Sequence, residues 1–341
     1  MLTYYPPMRS GIAAYAGQAV TRLRAEGHEV TVASPQPSDA EHVLDLSKRG
    51  AGLALARLAR RYDRLVVQFH PELLGSPDSS LATRSLSMLR LALGLAAARS
   101  SELCIHEMTY GAGPTARIQR ALARPIWKLA DEITMHSERE REDFAKGFRI
   151  AKDRIGVVSQ ARDMVRNIDE DRETARVALG LPRARMILVA IGFLQPHKGF
   201  DRAIHAFAQV PHAGARLYVV GSTWRDDPAA MAHVDELRRM AEETPNVELR
   251  EGYLDDAEFD RWIIAADALV LPYRHGFSSN VMERGLLYDR PVIVSCTSGM
   301  SEQGEDRQGV TIVADDSELV EAVRALLADP ALGRTGGPRA L

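Results

Sequence analysis

The 341-residue sequence predicts an α/β protein made of two doubly wound parallel sheets. Three observations predict it. Short apolar runs suited to buried parallel strands alternate with helical patterns along nearly the whole chain. The alternation lapses once, in the polar stretch 162–171, and then restarts, which divides the chain into residues 1–165 and 166–330 and leaves 331–341 as a disordered tail. The turns from strand to helix carry glycine, serine and lysine, which suit ligands at the carboxyl edge of such sheets.

Each element has a local reason. In the first half a short strand at 2–5 is stopped by Pro6-Pro7, and Ser10-Gly11 opens a helix over 12–26. Gly27 ends that helix before a strand within 28–33. Helices at 51–61, 79–98 and 115–130 then precede strands at 65–70, 103–107 and 132–136, in an order that interleaves them. A short helix after Ser137 leads to a strand at 155–158. In the second half strands fall at 186–192, 217–221, 247–251, 268–272, 291–294 and 310–313. The helices there fall at 199–210, 229–243, 256–266, 281–287 and 317–328.

Composition removes several classes. A net charge of −3 gives no general pull toward nucleic acid. No apolar run reaches the roughly 18–20 residues that span a membrane, and the start lacks the basic region and apolar core of a signal peptide. Cys104 and Cys296 lie far apart, with no CxxC or CxxH spacing, and read as buried small hydrophobes. No HExxH or close carboxylate set suggests a metal. The expected compartment is the cytosol.

The second half carries the sharpest stretch, His275-Gly276-Phe277-Ser278-Ser279-Asn280-Val281-Met282-Glu283, between an apolar strand and a helix start. Ser278 or Ser279 can cap that helix, whose first N–H groups and positive dipole end suit a phosphate. Glu283, about one turn in, suits the hydroxyls of a ribose beside that phosphate. The plainer reading is a surface turn with a solvated glutamate. Lys198 ends a second ligand-edge turn and suits a diphosphate and the charge that grows as it departs. Gly11 forms a third such turn, and His106, at the end of the 103–107 strand, can donate to a sugar hydroxyl or take a proton. No G-x-G-x-x-G follows a strand and no GxxxxGK[ST] occurs, which argues against dinucleotide dehydrogenases and P-loop NTPases. Arg117, Arg120, Arg124 and Lys128 fall on one helical face beside Trp127. They form either a solvated surface or a contact for anionic lipid or an acidic acceptor, and Pro125 should kink or break that helix.

In this order the residues resemble the retaining family-4 glycosyltransferases of the GT-B fold, two Rossmann-like domains facing across a cleft. The resemblance covers nearly the whole chain. The family's pair of glutamates falls on His275 and Glu283, so the carboxylate that meets the donor sugar is replaced by His275 and the one that holds the ribose is Glu283. The family's phosphate-binding arginine and lysine fall on Phe193 and Lys198, and its double-glycine loop on Ser10-Gly11. His106 falls where the family places a histidine near the transferred sugar, and Tyr253-Leu254 where its backbone meets the base. The resemblance implies a nucleoside-diphosphate sugar as donor and an acceptor hydroxyl on a sugar, lipid or small molecule. It implies no cofactor and no metal. His106, Lys198 and His275 would serve catalysis; Gly11, Lys198, Tyr253, Leu254, Ser278, Ser279, Asn280 and Glu283 would hold the donor. A cytoplasmic protein, peripheral at the inner membrane face, would fit this role. The first strand is shorter than the family's and a final helix crossing back to the first domain is not evident, which would weaken the first domain or its closure. Two other functions fit the same fold: a sugar-nucleotide 2-epimerase, and a non-catalytic sugar-nucleotide-binding subunit.

Overall fold

Strand and helix alternate along most of the computed structural model, and every strand pair among the described residues is parallel. The described residues are all except Pro77, 107–113, His212, 224–226, 276–277 and 330–341; the side chains of 114–119, Leu122 and Ser298 are also set aside. The expectations placed on Glu107, Gly276-Phe277, the Arg117 side chain and the 331–341 tail therefore lie outside the described residues. Contacts divide the chain into two units, Met1–Asp163 and Met164–Leu341.

The first unit runs α1 (Gly11–Ala25), β1 (Ala33–Ser34), β2 (His42–Val43), α2 (Ala51–Ala59), β3 (Leu65–Phe69), α3 (Leu81–Ala97), β4 (Ser101–Ile105), α4 (Pro114–Trp127), β5 (Glu132–Met135), α5 (Glu138–Phe148) and β6 (Ile155–Val157). Strands β3-β4-β5-β6 lie in sequence order, and Leu2 bridges both Ala33 of β1 and Val67 of β3. The expected strand at 2–5 is thus reduced to one bridged residue. The strand expected within 28–33 shifts to Ala33–Ser34, because Glu41 accepts the Val32 N–H at 2.7 Å and takes it out of a ladder.

Helix α4 corrects two expectations. It runs through Pro125 without ending there, because the proline sits in the last turn and its missing N–H forfeits only one bond. Trp127 does not flank a basic surface: it is 1% exposed and packs edge-on against Phe69, Phe144 and Phe148 in the core. The basic face loses its aromatic anchor. No helix of the described residues is long and apolar enough to cross a membrane.

The second unit runs α6 (Arg172–Ala178), β7 (Met186–Ile191), α7 (Phe200–Ala208), β8 (Ala215–Gly221), α8 (Pro228–Glu243), β9 (Val247–Glu251), α9 (Asp256–Ala265), β10 (Ala268–Leu271), α10 (Asn280–Leu287), β11 (Val292–Ser295), α11 (Ser298–Gly304), β12 (Val310–Val313) and α12 (Asp316–Ala328). Its sheet has the order β12-β11-β10-β7-β8-β9. Successive residues of the central strands feed opposite cores: Leu188, Ala190, Leu217, Val219 and Val270 on one face, Ile187, Val189, Tyr218, Val220, Leu269 and Leu271 on the other. A sheet covered on both faces needs such continuous apolar strands. The short polar helices α6 and α11 are not foreseen by periodicity, since a run such as SGMSEQG has no apolar face to detect.

Candidate functional site

In the second sheet the chain proceeds from β7 outward through β8 and β9, then returns to the other side of β7 with β10. The strand order therefore reverses between β7 and β10, and open α/β sheets bind ligands outside the carboxyl ends of their strands at that point. Lys198 follows β7, and residues 272–275 and 278–283 follow β10, so all of them sit at the reversal.

The two turns are stitched together. Residues Pro196–Lys198 form a 3-10 turn, so Lys198 precedes α7 instead of opening it, and Gly199 between them has φ 68°. A Cβ at Gly199 would lie 2.1 Å from the Pro272 carbonyl oxygen, so only glycine lets these backbones meet. The Arg274 N–H donates to the His197 carbonyl at 2.8 Å, and its guanidinium donates to Pro196 O and to Asp201. Lys198 Nζ donates to the Tyr273 hydroxyl at 2.9 Å, and Ser279 Oγ donates to the same oxygen at 3.4 Å. His275 is exposed and stacks on His197 with ring centroids 5.2 Å apart.

Ser279, not Ser278, caps α10: its side chain accepts the Met282 N–H at 3.3 Å, while Asn280 begins the helix. Glu283 is 2% exposed. Its Oε1 accepts from Gln303 Nε2 at 2.7 Å and from Arg307 Nη1 at 2.6 Å, while Oε2 has no hydrogen-bond partner among the described residues. Gln303 also accepts the Ser279 N–H at 2.8 Å and so ties α11 to the cap of α10. Gln303 and Arg307 escape sequence reasoning; the only signal is that a buried carboxylate needs a partner, and nothing names which. The neighbouring Arg284 is 5% exposed and clamps the fully buried Asp260, which also accepts from Tyr288 Oη at 2.6 Å. That contact fixes the rotation of α10 and hence the aim of Glu283.

Tyr253 and Leu254 follow the edge strand β9, where Gly252 N donates to Gly221 O at 2.9 Å. Tyr253 is exposed and Leu254 packs partly into the core. In the strand order β7 and β8 lie between them and β10.

In the first unit Gly11 is the first residue of α1, capped by Ser10, and an added Cβ there would meet no atom within 4 Å among the described residues beyond its own helix turn and neighbours. His106 is not an exposed strand-end histidine. Its Nε2 lies 2.6 Å from Gln68 Oε1 and its Nδ1 3.2 Å from His136 Nε2. Burial, then His136 and His70, hold His106 well below the usual imidazole range. Cys104 Sγ lies 3.6 Å from His136 Nε2. Cys104 is buried as expected, whereas Cys296 is exposed, which corrects the reading of both as buried.

The profile described as Glycosyltransferase Family 4 matches residues 9–166, and that described as Glycosyl transferases group 1 matches residues 185–329. D-inositol 3-phosphate glycosyltransferase 1 of Catenulispora acidiphila is 28% identical over 230 residues, covering 65% of this chain and 54% of that protein. The corresponding protein of Corynebacterium efficiens is 25% identical over 228 residues, covering 63% and 52%. The chain thus spans about half the length of these curated relatives. Among solved structures, a glycosyltransferase of Rickettsia africae superposes with a TM-score of 0.67 at 14% identity, covering 98% of this chain and 90% of that one. HepE of Anabaena, solved with UDP and glucose, superposes with a TM-score of 0.64 at 16% identity, covering 93% and 81%. With both units matched by the family's sequence profiles and the fold shared with these structures, the chain belongs to the family-4 glycosyltransferases of the GT-B fold.

Proposed function

We propose that this chain transfers a sugar from a nucleoside-diphosphate sugar to an acceptor hydroxyl, with retained configuration at the anomeric carbon. One observation carries the reading: a lysine, a helix N-terminus and a buried carboxylate whose Oε2 has no partner among the described residues converge on the β7–β10 reversal. The diphosphate sits against Lys198 and the first N–H groups of α10, around Ser278, Ser279 and Asn280. The ribose hydroxyls donate to Glu283, whose Oε2 has no partner among the described residues; leaving such a buried oxygen unsatisfied costs about 1–3 kcal/mol. As the bond from the anomeric carbon to the phosphate oxygen breaks, charge grows on the diphosphate, and Lys198 and the helix dipole meet it. The acceptor oxygen bonds the same carbon, and its proton leaves with the departing phosphate. His275 takes the place of the family's sugar-binding carboxylate and offers a hydrogen bond without a fixed charge. Tyr253-Leu254 meets the base. HepE, which shares the fold, was solved with UDP and glucose, and the curated relatives are named for D-inositol 3-phosphate, so uridine nucleotides and polyol phosphates are the first ligands to try.

Calorimetry with uridine, guanosine and adenosine diphosphates tests the donor site. Glu283→Ala should raise the Kd of the preferred nucleotide about 10–100-fold, the range for hydrogen bonds to a charged group. Equal affinity in variant and wild type, or no binding to the wild type, overturns the reading. The replacements at His275 and Phe193 favour one other function, a sugar-nucleotide-binding subunit, which would bind the donor but turn over no acceptor.

A further inference from the structure

The carboxyl ends of adjacent strands in the first unit bring together a thiol and two imidazoles outside the donor site: Cys104 on β4, His106 just after it, and His136 just after β5. Their ligand atoms all lie within 4.8 Å of one another. Two of the three separations, 3.2 Å between the ring nitrogens and 3.6 Å from sulfur to nitrogen, are set by the fold itself. A tetrahedral zinc ion with bonds of about 2.0–2.1 Å to nitrogen and 2.3 Å to sulfur spaces its ligands by about 3.3–3.6 Å.

Hydrogen bonding on the far sides of the rings points the same way. His136 Nδ1 lies 3.0 Å from Val158 O, a carbonyl that can only accept, so Nδ1 carries the proton and the lone pair of Nε2 faces inward. Gln68 Oε1, 2.6 Å from His106 Nε2, assigns the proton there and turns the Nδ1 lone pair inward as well. The two ring nitrogens then stand 3.2 Å apart, close to the spacing of two ligands on one tetrahedral ion. A carbonyl or amide oxygen on the outer nitrogen of each ring is also the support that metal-bound histidines use. Tyr15 closes one side, its ring 4.7 Å from His106 and 5.6 Å from His136 between centroids.

We propose that Cys104 Sγ, His106 Nδ1 and His136 Nε2 bind a zinc-type divalent cation. A thiolate with two imidazoles selects zinc over the oxygen-preferring cations. The Cys104 thiol proton leaves to solvent as the sulfur–metal bond forms, and the fourth position takes water. The ion ties β4 to β5 and holds His106 in the tautomer whose Nε2–H points away from the metal. This inference stands apart from the donor site in the second unit.

Cobalt titration of the metal-free protein reads the site directly. The expected result is one equivalent bound with thiolate-to-cobalt charge-transfer absorption and the strong visible bands of tetrahedral cobalt. Cys104→Ser should abolish the charge-transfer absorption and Cys296→Ser should keep it. Gln68→Ala should weaken binding about 10–100-fold while leaving the spectrum in place, as for loss of a supporting hydrogen bond. X-ray absorption on the wild-type zinc form needs no substitution and should show one sulfur at about 2.3 Å with nitrogens at about 2.0–2.1 Å. A wild type that gives no thiolate band, a band that survives Cys104→Ser or vanishes with Cys296→Ser, or a zinc shell without sulfur overturns the proposal. In that event a flipped Gln68 amide, with His106 Nδ1 donating to His136, explains the cluster.

Discussion

Lys198 shows how much one side chain can carry. Its ammonium donates to the neutral Tyr273 hydroxyl and lies 4.0 Å from that ring's centroid. A cation held by a phenol keeps most of its charge for a ligand. Lys198→Ala should therefore weaken nucleoside diphosphate binding by about 1.5–3 kcal/mol and leave nucleoside binding nearly unchanged. Calorimetry with both ligands checks this, and equal losses would detach Lys198 from the phosphates. Lys198 and Glu283 are legible in the sequence because each stands at a fixed offset from a glycine turn after an apolar strand. Gln303 and Arg307 are not legible. They lie 20 and 24 residues from Glu283, on and just after a helix that no periodicity announces.

Helix α10 is the element on which the donor site depends, and its two central residues divide the work. Glu283 turns toward Gln303 and Arg307 while Arg284 turns toward α9. Asp260 on α9 is fully buried and accepts from Arg284, Tyr288 and Asn167. Removing one partner strands the other charge, so Arg284→Ala should cost about 3–5 kcal/mol in urea unfolding. The double replacement Arg284→Met with Asp260→Leu should recover most of that loss, since an apolar pair is often neutral in place of a buried ion pair. If the double variant is no better than Arg284→Ala, the cost lies in packing and not in the stranded charge. The sequence marks α10 well, through its serine cap and apolar spacing, but not which of its charged residues is structural.

Across the whole molecule each unit has its own core and its own candidate site, so ligands should act on them separately. A nucleoside diphosphate at 100 times its Kd should stabilise the protein by about 2.7 kcal/mol. Hydrogen exchange should place the added protection in β7, β10 and α10, with β4 and β5 unchanged. Chelation of zinc should loosen the carboxyl ends of β4 and β5 and leave β7 and β10 as they were. Protection that moves in both units with either ligand would show the sites to be coupled.

The sequence by itself determined the two αβ halves, the parallel sheets and the turns that follow β7 and β10. Those signals are local: the period of buried strands, the caps of helices and the glycines of turns all lie within a few residues of what they specify. Tertiary structure decided the rest. It reduced the first strand to the bridged Leu2, because pairing depends on what Ala33 and Val67 offer and not on the run itself. It put Trp127 in the core, where Phe69, Phe144 and Phe148 from other elements meet it. It also joined Cys104, His106 and His136, because parallel neighbours bring strand ends together from about thirty residues apart, a separation at which no short spacing motif operates.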